Sequence, residues 1–136
     1  MYNNIIRTKN VQDVEEVTRK HPEYFTHDFE TWLKNDNNFC YKSEDNLGFG
    51  EMKEEGQYWV HLCLNSARGR EAIDLTSRFV DRLYEDTKFN VAVGVIHHDN
   101  RKAKWLIRQI GFTSLGEVET DYGLCEMFFT TKKEQQ

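Results

Sequence analysis

Two adjacent histidines and an aspartate, His97, His98 and Asp99, stand at the start of a basic segment and have the composition of a metal site. Imidazole nitrogens and a carboxylate oxygen form a ligand set that Zn²⁺ accepts. However, three consecutive residues on an extended segment point in alternating directions and would not converge on one ion. We therefore expect no metal here, and we expect Asp99 and Asn100 together to cap the following helix.

A second group of residues, in the segment SARGREA at 66–72, has the composition of an anion site. The segment follows an apolar run and precedes a helical pattern, and the first amides of a helix have no intrahelical partner. Arg68 and Arg70 add positive charge. The alternative is that Gly69 only shapes a turn and that the arginines are solvated. Four basic residues farther along the chain could face the same space: Arg101, Lys102, Lys104 and Arg108.

His61 is the titratable side chain in the centre of the apolar run QYWVHLCLN at 57–65. An imidazole titrates near neutral pH, which suits it to general-base catalysis. The competing interpretation is a core histidine whose hydrogen bonds are satisfied locally. Glu126 and Tyr122, near the end of the chain, are secondary candidates for the base.

The charge of the 136-residue chain is −5, which argues against a general binder of nucleic acid or anionic membranes. The charge is also unevenly distributed. Residues 66–108 contain nine of the 18 basic residues and six of the 23 acidic ones, so the remainder carries a net charge of −8.

Three cysteines at positions 40, 63 and 125 are widely spaced, so we expect buried thiols and neither a disulfide framework nor a zinc knuckle. No apolar run approaches the roughly 20 residues that span a bilayer, and the first residues lack the apolar region of a signal peptide. We therefore expect a soluble cytoplasmic protein. The length fits one domain, 1–131, followed by a frayed tail at 132–136.

The hydrophobic pattern predicts the order strand, two helices, three antiparallel strands, helix, strand, helix and two strands. Both faces of 57–65 are apolar, so this strand should be central, with the next helix making a right-handed crossover to a parallel neighbour. Strands are predicted at 4–8, 38–43, 47–54, 57–65, 90–96, 113–120 and 124–130, with turns at 45–46 and 121–123. Helices are predicted from Asn10, over 27–34, over 69–86, and from Asn100 to Gly111.

This order of elements and two motifs resemble the GNAT superfamily of acyl-CoA-dependent N-acyltransferases. In that family, one strand leads into a loop of pattern Arg/Gln-x-x-Gly-x-Gly/Ala that holds the CoA pyrophosphate. The next strand precedes a helix of pattern Asn-x-x-Ala-x-x-Leu-Tyr-x-x-x-Gly-Phe. Five of its six named positions match here: Asn100, Ala103, Leu106, Gly111 and Phe112. The resemblance covers essentially the whole chain and implies an α/β (α+β) fold, a mixed sheet of about seven strands flanked by about four helices.

The resemblance implies an N-acetyltransferase that moves an acetyl group from acetyl-CoA to an amine of a small molecule or protein. His61 would be the base near the fourth strand, and the acidic remainder of the chain favours a cationic amine. The residues that would contact the cofactor lie on that strand, its loop and the two helix starts. They are Leu62, Leu64, Ala67, Arg68, Gly69, Arg70, Glu71, Ala72, Asn100 and Lys104.

Two features depart from the family pattern. With the loop pattern started at Arg68, Glu71 and Ile73 stand where the family has small residues, and a carboxylate repels a pyrophosphate. Ile107 replaces the tyrosine that usually protonates the leaving thiolate. The alternatives are therefore an acyl-CoA sensor, or a catalytically degenerate GNAT-like protein similar to some tailed-bacteriophage virion or head-assembly proteins. In the latter case its partners would be virion components, in the virion or the host cytoplasm.

Overall fold

The computed structural model describes residues 4–21 and 28–131, so the expected tail at 132–136 lies outside the described residues. In chain order the elements are β1 (Ile6–Arg7), α1 (Val11–Thr18), α2 (Phe29–Lys34), β2 (Asn38–Ser43), β3 (Asn46–Glu54), β4 (Gln57–Leu64), α3 (Gly69–Thr87), β5 (Val91–His97), α4 (Arg101–Gln109), β6 (Thr113–Thr120) and β7 (Gly123–Thr130). The strands form one mixed sheet in the order β1-β2-β3-β4-β5-β7-β6. The predicted order of elements and fold class are confirmed.

The fourth strand, β4, is at the centre of the sheet, as its two apolar faces predicted. It pairs antiparallel with β3 and parallel with β5. Tyr58 packs in the cluster under α3 and α4, whereas Cys63 packs in the cluster under α1 and α2. Successive side chains of a strand point to opposite faces, so β4 supplies both cores of the molecule.

The two N-terminal helices cover one face of the sheet. Asn10 caps α1, because its side-chain oxygen accepts from the amides of Gln12 at 2.9 Å and Asp13 at 3.3 Å. Asp28 caps α2 in the same way, so this helix begins at Phe29, and position 27 of the predicted span is not among the described residues. The residues that join these helices to the sheet are Val14, Val17, Phe29, Leu33, Cys40, Leu47, Phe49 and Cys63.

The long helix α3 packs on the opposite face and approaches β3 closely. A Cβ atom added to Gly48 would lie 2.7 Å from Cγ and Cδ2 of Phe79, and one added to Gly50 would lie 2.7 Å from a methyl carbon of Leu83. Both helix residues are buried. The helix therefore rests directly on the backbone of β3, and this contact fixes the height of the helix above the sheet.

Two local predictions need correction. The turn between β2 and β3 is formed by residues 44–45 instead of 45–46, because Asn46 pairs with Ser43 and begins the strand. The first strand is shorter than predicted and consists of Ile6 and Arg7.

The three cysteines are free and buried, as predicted. Within 4–21 and 28–131, no helix is long and apolar enough to cross a membrane.

Candidate functional site

The strands β4 and β5 are neighbours that separate along their length. In the described part of the chain, their parallel ladder consists of Gln57 with Val91, Tyr58 with Ala92 and Trp59 with Val93. Past these pairs, β4 continues to pair with β3 on its other side, and β5 continues to pair with β7. The facing edges of the two strands therefore part, and their backbone amides and carbonyls are positioned to bond an extended ligand.

Two helix N-termini lie at the carboxyl ends of β4 and β5, where these strands part, because α3 follows β4 and α4 follows β5. Gly69, the first residue of α3, has φ of +56°, whereas the rest of the helix is right-handed, and this change of backbone hand aims successive amides into one concavity. The amides of Glu71 and Ala72 already donate to the Arg68 carbonyl, at 3.1 and 3.3 Å. The amides of Gly69 and Arg70 are thus the ones that the helix leaves for an anion.

The side chains around this helix start are charged and accessible. Arg68, Gly69, Arg70 and Glu71 are exposed, whereas Ala67 and Ala72 are buried in the core beneath α3. The two arginines favour an anion over the helix start, and the Glu71 carboxylate opposes it. The sequence-predicted loop residues are therefore brought together, with Ala67 and Ala72 contributing packing.

Asn46 holds the loop between β4 and α3 in place, a role that the sequence did not reveal. Its side-chain oxygen accepts from the amides of Asn65 at 2.9 Å and of Ser66 and Ala67 at 3.2 Å each. Its side-chain nitrogen donates to the carbonyl of Ser43 and the hydroxyl of Ser66. Asn46 is fully buried, so one amide side chain from β3 fixes three consecutive backbone amides of the loop.

His61 lies on β4 beyond the last residue that pairs with β5. It is half-buried, faces α1 and α2, and stands directly across from Phe49 of β3. Leu62 and Leu64 lie in the same segment of β4, on the opposite face beneath α3 and α4. The predicted base and these two leucines therefore belong to the part of β4 whose edge faces the opening.

The basic residues of α4 divide into two groups. Lys104 Nζ is 3.5 Å from Glu126 Oε1, and Arg108 Nη2 is 3.0 Å from Glu126 Oε2. These ion pairs tie both side chains to a carboxylate on β7, next to the end of β5. Arg101 and Lys102 remain exposed at the start of the helix.

Glu126 and Tyr122, the secondary candidates for the base, are poorly suited to that role. A hydrogen bond from the Ser114 hydroxyl, followed by Arg108 and Lys104, lowers the pKa of the Glu126 carboxyl below its ordinary value of 4.5. Lowering the pKa weakens a carboxylate as a proton acceptor. Tyr122 is 83% exposed in the turn between β6 and β7. Glu126 thus acts as an anchor for α4 on β7.

We expect Glu126→Gln to destabilise the protein at neutral pH and to lose this effect in acid. Because the folded pKa of Glu126 is lowered, its stabilising contribution is full above the unfolded value of about 4.5 and disappears as the pH falls through the folded value. Urea unfolding of the unchanged protein and of Glu126→Gln, at pH 7 and at pH 3, measures the difference in their free energies of unfolding. The expected loss at pH 7 is about 1 kcal/mol, and a loss of the same size at pH 3 would contradict the ionic explanation.

The sequence matches no protein-family model and no curated protein, but solved structures match it along nearly its full length. A spermidine N-acetyltransferase SpeG mutant from Vibrio cholerae superposes with a TM-score of 0.76 at 11% identity, covering 94% of each chain. An aminoglycoside 6'-acetyltransferase type Ii superposes at 0.75 and 12% identity, covering 98% of this chain and 99% of its own. The chain has the GNAT acetyltransferase fold.

Another protein of the GNAT fold was solved with ligands. Aminoglycoside acetyltransferase AAC(6')-Ib, in complex with coenzyme A and kanamycin, superposes with a TM-score of 0.69 at 15% identity, covering 95% of each chain. At identities this low the likeness establishes the fold, and the chemistry has to be argued from the residues of this chain.

Ile107 occupies the position at which the GNAT helix motif has tyrosine, and it is packed into the core. Only 7% of it is exposed, and its Cδ1 atom lies 2.5 Å from the position that a Cβ atom on Gly94 would take. Gly94 follows Val93, the last residue of β5 that pairs with β4. The isoleucine therefore fills the space where the two strands begin to part, and it carries no transferable proton.

The connection from β5 to α4 has a different shape from the one that the sequence suggested. Asn100 caps α4, since its side-chain oxygen accepts from the Ala103 amide at 3.1 Å, as expected. The Asp99 carboxylate instead faces His98 Nε2 at 3.0 Å and His97 Nδ1 at 3.8 Å. The premise that these three side chains diverge is wrong, because β5 ends at His97 and the next two residues lie in a turn.

Proposed function

We propose that this chain is an N-acetyltransferase that transfers the acetyl group of acetyl-CoA to an amine. The observation that carries the proposal is that β4 parts from β5 beyond Trp59 and Val93, and that α3 and α4 begin at the carboxyl ends of these two strands. The amides of Gly69 and Arg70, with the two arginine side chains of the loop, suit the pyrophosphate. The amide-bearing pantetheine arm suits the open edge of β4 at Leu62–Leu64.

The reaction needs one proton acceptor and one proton donor. The amine nitrogen attacks the thioester carbonyl, a nitrogen–carbon bond forms, and the carbon–sulfur bond breaks. In our proposal the amine gives its proton to His61, directly or through water, and backbone amides of β4 stabilise the developing oxyanion. The CoA thiolate takes its proton from water, because Ile107 has none to give.

The acceptor class follows from charge. Outside residues 66–108 the chain carries a net charge of −8, which attracts a cationic amine and repels an anionic one. The structural neighbours include proteins described as acting on spermidine and one bound to kanamycin. Both are amines, so we propose a cationic amine as the acceptor here.

The competing function is a GNAT-fold protein without turnover. Two observations favour it: Ile107 is locked into the core, and the Glu71 carboxylate is exposed in the first turn of α3. Such a protein would act as an acyl-CoA sensor, or in assembly with partner proteins such as those of a bacteriophage virion. Binding and turnover assays separate these functions.

Acetyl-CoA should bind and stabilise the protein, and the binding should depend on the start of α3. At a concentration of about 100 times the dissociation constant, a ligand adds roughly 2.7 kcal/mol to the free energy of unfolding. Thermal unfolding and isothermal titration measure this effect. Gly69→Asp and Arg68→Glu should abolish it. Gly116→Asp is the matched control, because Gly116 also has a positive φ and open space at its Cβ but lies on β6.

Three results distinguish the functions. No stabilisation at millimolar acetyl-CoA or CoA would contradict both the enzyme and the sensor. Binding with no release of free thiol across a panel of amines would support the sensor. Thiol release that falls about a hundredfold to ten-thousandfold in His61→Gln, with acetyl-CoA affinity unchanged, would support the proposed enzyme and its base.

A further inference from the structure

The turn between β5 and α4 brings three metal-ligating side chains together. His97, His98 and Asp99 each offer one ligand atom, and these atoms all lie within 4.8 Å of one another. All three side chains are at least one third exposed, so an ion can reach them from solvent. We propose that they form a binding site for a divalent transition-metal ion of the zinc class.

The distances among the ligand atoms suit one small ion. Metal–ligand bonds of about 2.0–2.2 Å place two ligand atoms of a tetrahedral site roughly 3.4 Å apart. Here His98 Nε2 is 3.0 Å from Asp99 Oδ1, and His97 Nδ1 is 3.8 Å from Asp99 Oδ2. These two distances, which involve different oxygens of Asp99, lie on either side of the tetrahedral value, and side-chain rotation would bring the three ligand atoms to one ion. Water would occupy the remaining coordination position.

The hydrogen bonds of the two imidazoles identify which ring nitrogens are unprotonated. His98 Nδ1 lies 3.3 Å from the Leu124 carbonyl oxygen, which can only accept, so this nitrogen carries a proton. In the neutral ring, Nε2 then presents its lone pair to Asp99 Oδ1, 3.0 Å away, and these two acceptors repel unless a proton or a metal ion lies between them. His97 Nδ1 accepts the Asp99 amide at 3.2 Å and is also unprotonated, so an ion bound there would replace this hydrogen bond.

The backbone of the turn holds these side chains in register before any ion binds. The His98 amide donates to Leu124 at 3.0 Å and ties the turn to β7. The Asn100 amide donates to the His97 carbonyl oxygen at 2.9 Å, and the Arg101 amide donates to the Asp99 carbonyl oxygen at 3.0 Å. Because the turn is already formed, binding an ion would order little additional chain.

The donor set selects the kind of metal. Two imidazoles and one carboxylate suit Zn²⁺ and Ni²⁺, whereas Mg²⁺ and Ca²⁺ need several oxygen ligands. Arg101 and Lys102 stand exposed next to the turn at the positive end of α4, and their charge opposes a cation. The metal affinity should therefore come from covalent bonding to the imidazole nitrogens more than from charge attraction. This again favours Zn²⁺ and Ni²⁺ over Mg²⁺.

The test is a calorimetric titration of untagged, EDTA-treated protein with Zn²⁺, Ni²⁺ and Mg²⁺. We expect one equivalent of Zn²⁺ or Ni²⁺ to bind and Mg²⁺ to give no saturable signal. His98→Gln and Asp99→Asn should each weaken binding by at least about tenfold. His21→Gln is the control, because His21 is a part-buried histidine bonded to Asn65 and lies far along the chain from the turn.

The result can overturn the proposal in two ways. No saturable Zn²⁺ binding at millimolar metal would do so, as would an affinity that is unchanged in both His98→Gln and Asp99→Asn. Circular dichroism and thermal unfolding of each variant without metal separate lost ligands from lost folding. A shift of the His97 and His98 ring resonances on adding Zn²⁺, with His21 unmoved, is the expected spectroscopic signature. The readouts do not depend on acetyl-CoA, so this proposal stands apart from the proposed function.

Discussion

Replacing Asn46 with alanine should lower the free energy of unfolding by roughly 3 kcal/mol, because it leaves several buried polar groups without partners. The Asn46 oxygen accepts three consecutive loop amides, from residues 65–67, and the Ala67 amide is buried. The same change should weaken acetyl-CoA binding, since the loop leads directly into the start of α3. Urea unfolding and calorimetric titration measure the two effects.

Asn38→Ala is the matched control for this experiment. Asn38 is also buried, but within residues 4–21 and 28–131 its side chain makes one bond, to the Trp32 carbonyl at 3.0 Å, and it lies at the opposite end of β2 from Ser43, the partner of Asn46. We expect a loss of about 1 kcal/mol there and unchanged ligand affinity. Equal losses in the two variants would mean that the loop is held by other contacts. Asn46→Asp keeps the accepting oxygen and loses both donated bonds, so it reports how much of the effect belongs to the loop amides.

Gly48→Ala should destabilise the protein by about 2–3 kcal/mol through a steric conflict with α3. The added methyl group would lie 2.7 Å from Cγ and Cδ2 and 3.0 Å from Cβ of Phe79. Since Cβ is close to the helix backbone, a rotation of the ring cannot relieve the contact, and α3 has to move. Alanine is otherwise better than glycine in a strand interior, so the intrinsic preference works against the expected loss.

A double-mutant cycle with Phe79→Ala tests the cause of this loss. Phe79→Ala alone leaves a cavity under α3 and should cost about 3–5 kcal/mol. Combined with it, Gly48→Ala should cost little, because the methyl group then enters the cavity. A coupling free energy below about 0.5 kcal/mol would contradict the steric explanation. Gly116→Ala should show no coupling to Phe79, since nothing lies within 4 Å of its added Cβ.

Much of the fold could be predicted because its signals are local. Two apolar faces identify β4 as the central strand, and the spacing of Ala103, Leu106 and Ile107 identifies the inner face of α4. The turn after β2 was misplaced by one residue for an equally local reason. Asp45 and Asn46 are both common in turns, and the polar pair hides the fact that Asn46 is a buried strand residue.

The site was harder to predict because its geometry depends on contacts between distant residues. Asn46 bonds to amides 19 to 21 positions farther along the chain, and no periodicity reports such a pairing. The parting of β4 and β5 is equally hidden, because hydrophobic residues continue along both strands after the pairing stops. The alternation rule failed at Asp99 because it holds only within a strand, and β5 ends two residues earlier.

The packing of Ile107 against Gly94 has a consequence for the strand that lies beneath α4. With Ile107 Cδ1 2.5 Å from the place of a Cβ on residue 94, any side chain at 94 requires the end of Ile107 to move. The missing side chain of Gly94 is therefore the space that the isoleucine occupies, and the two positions are sterically coupled.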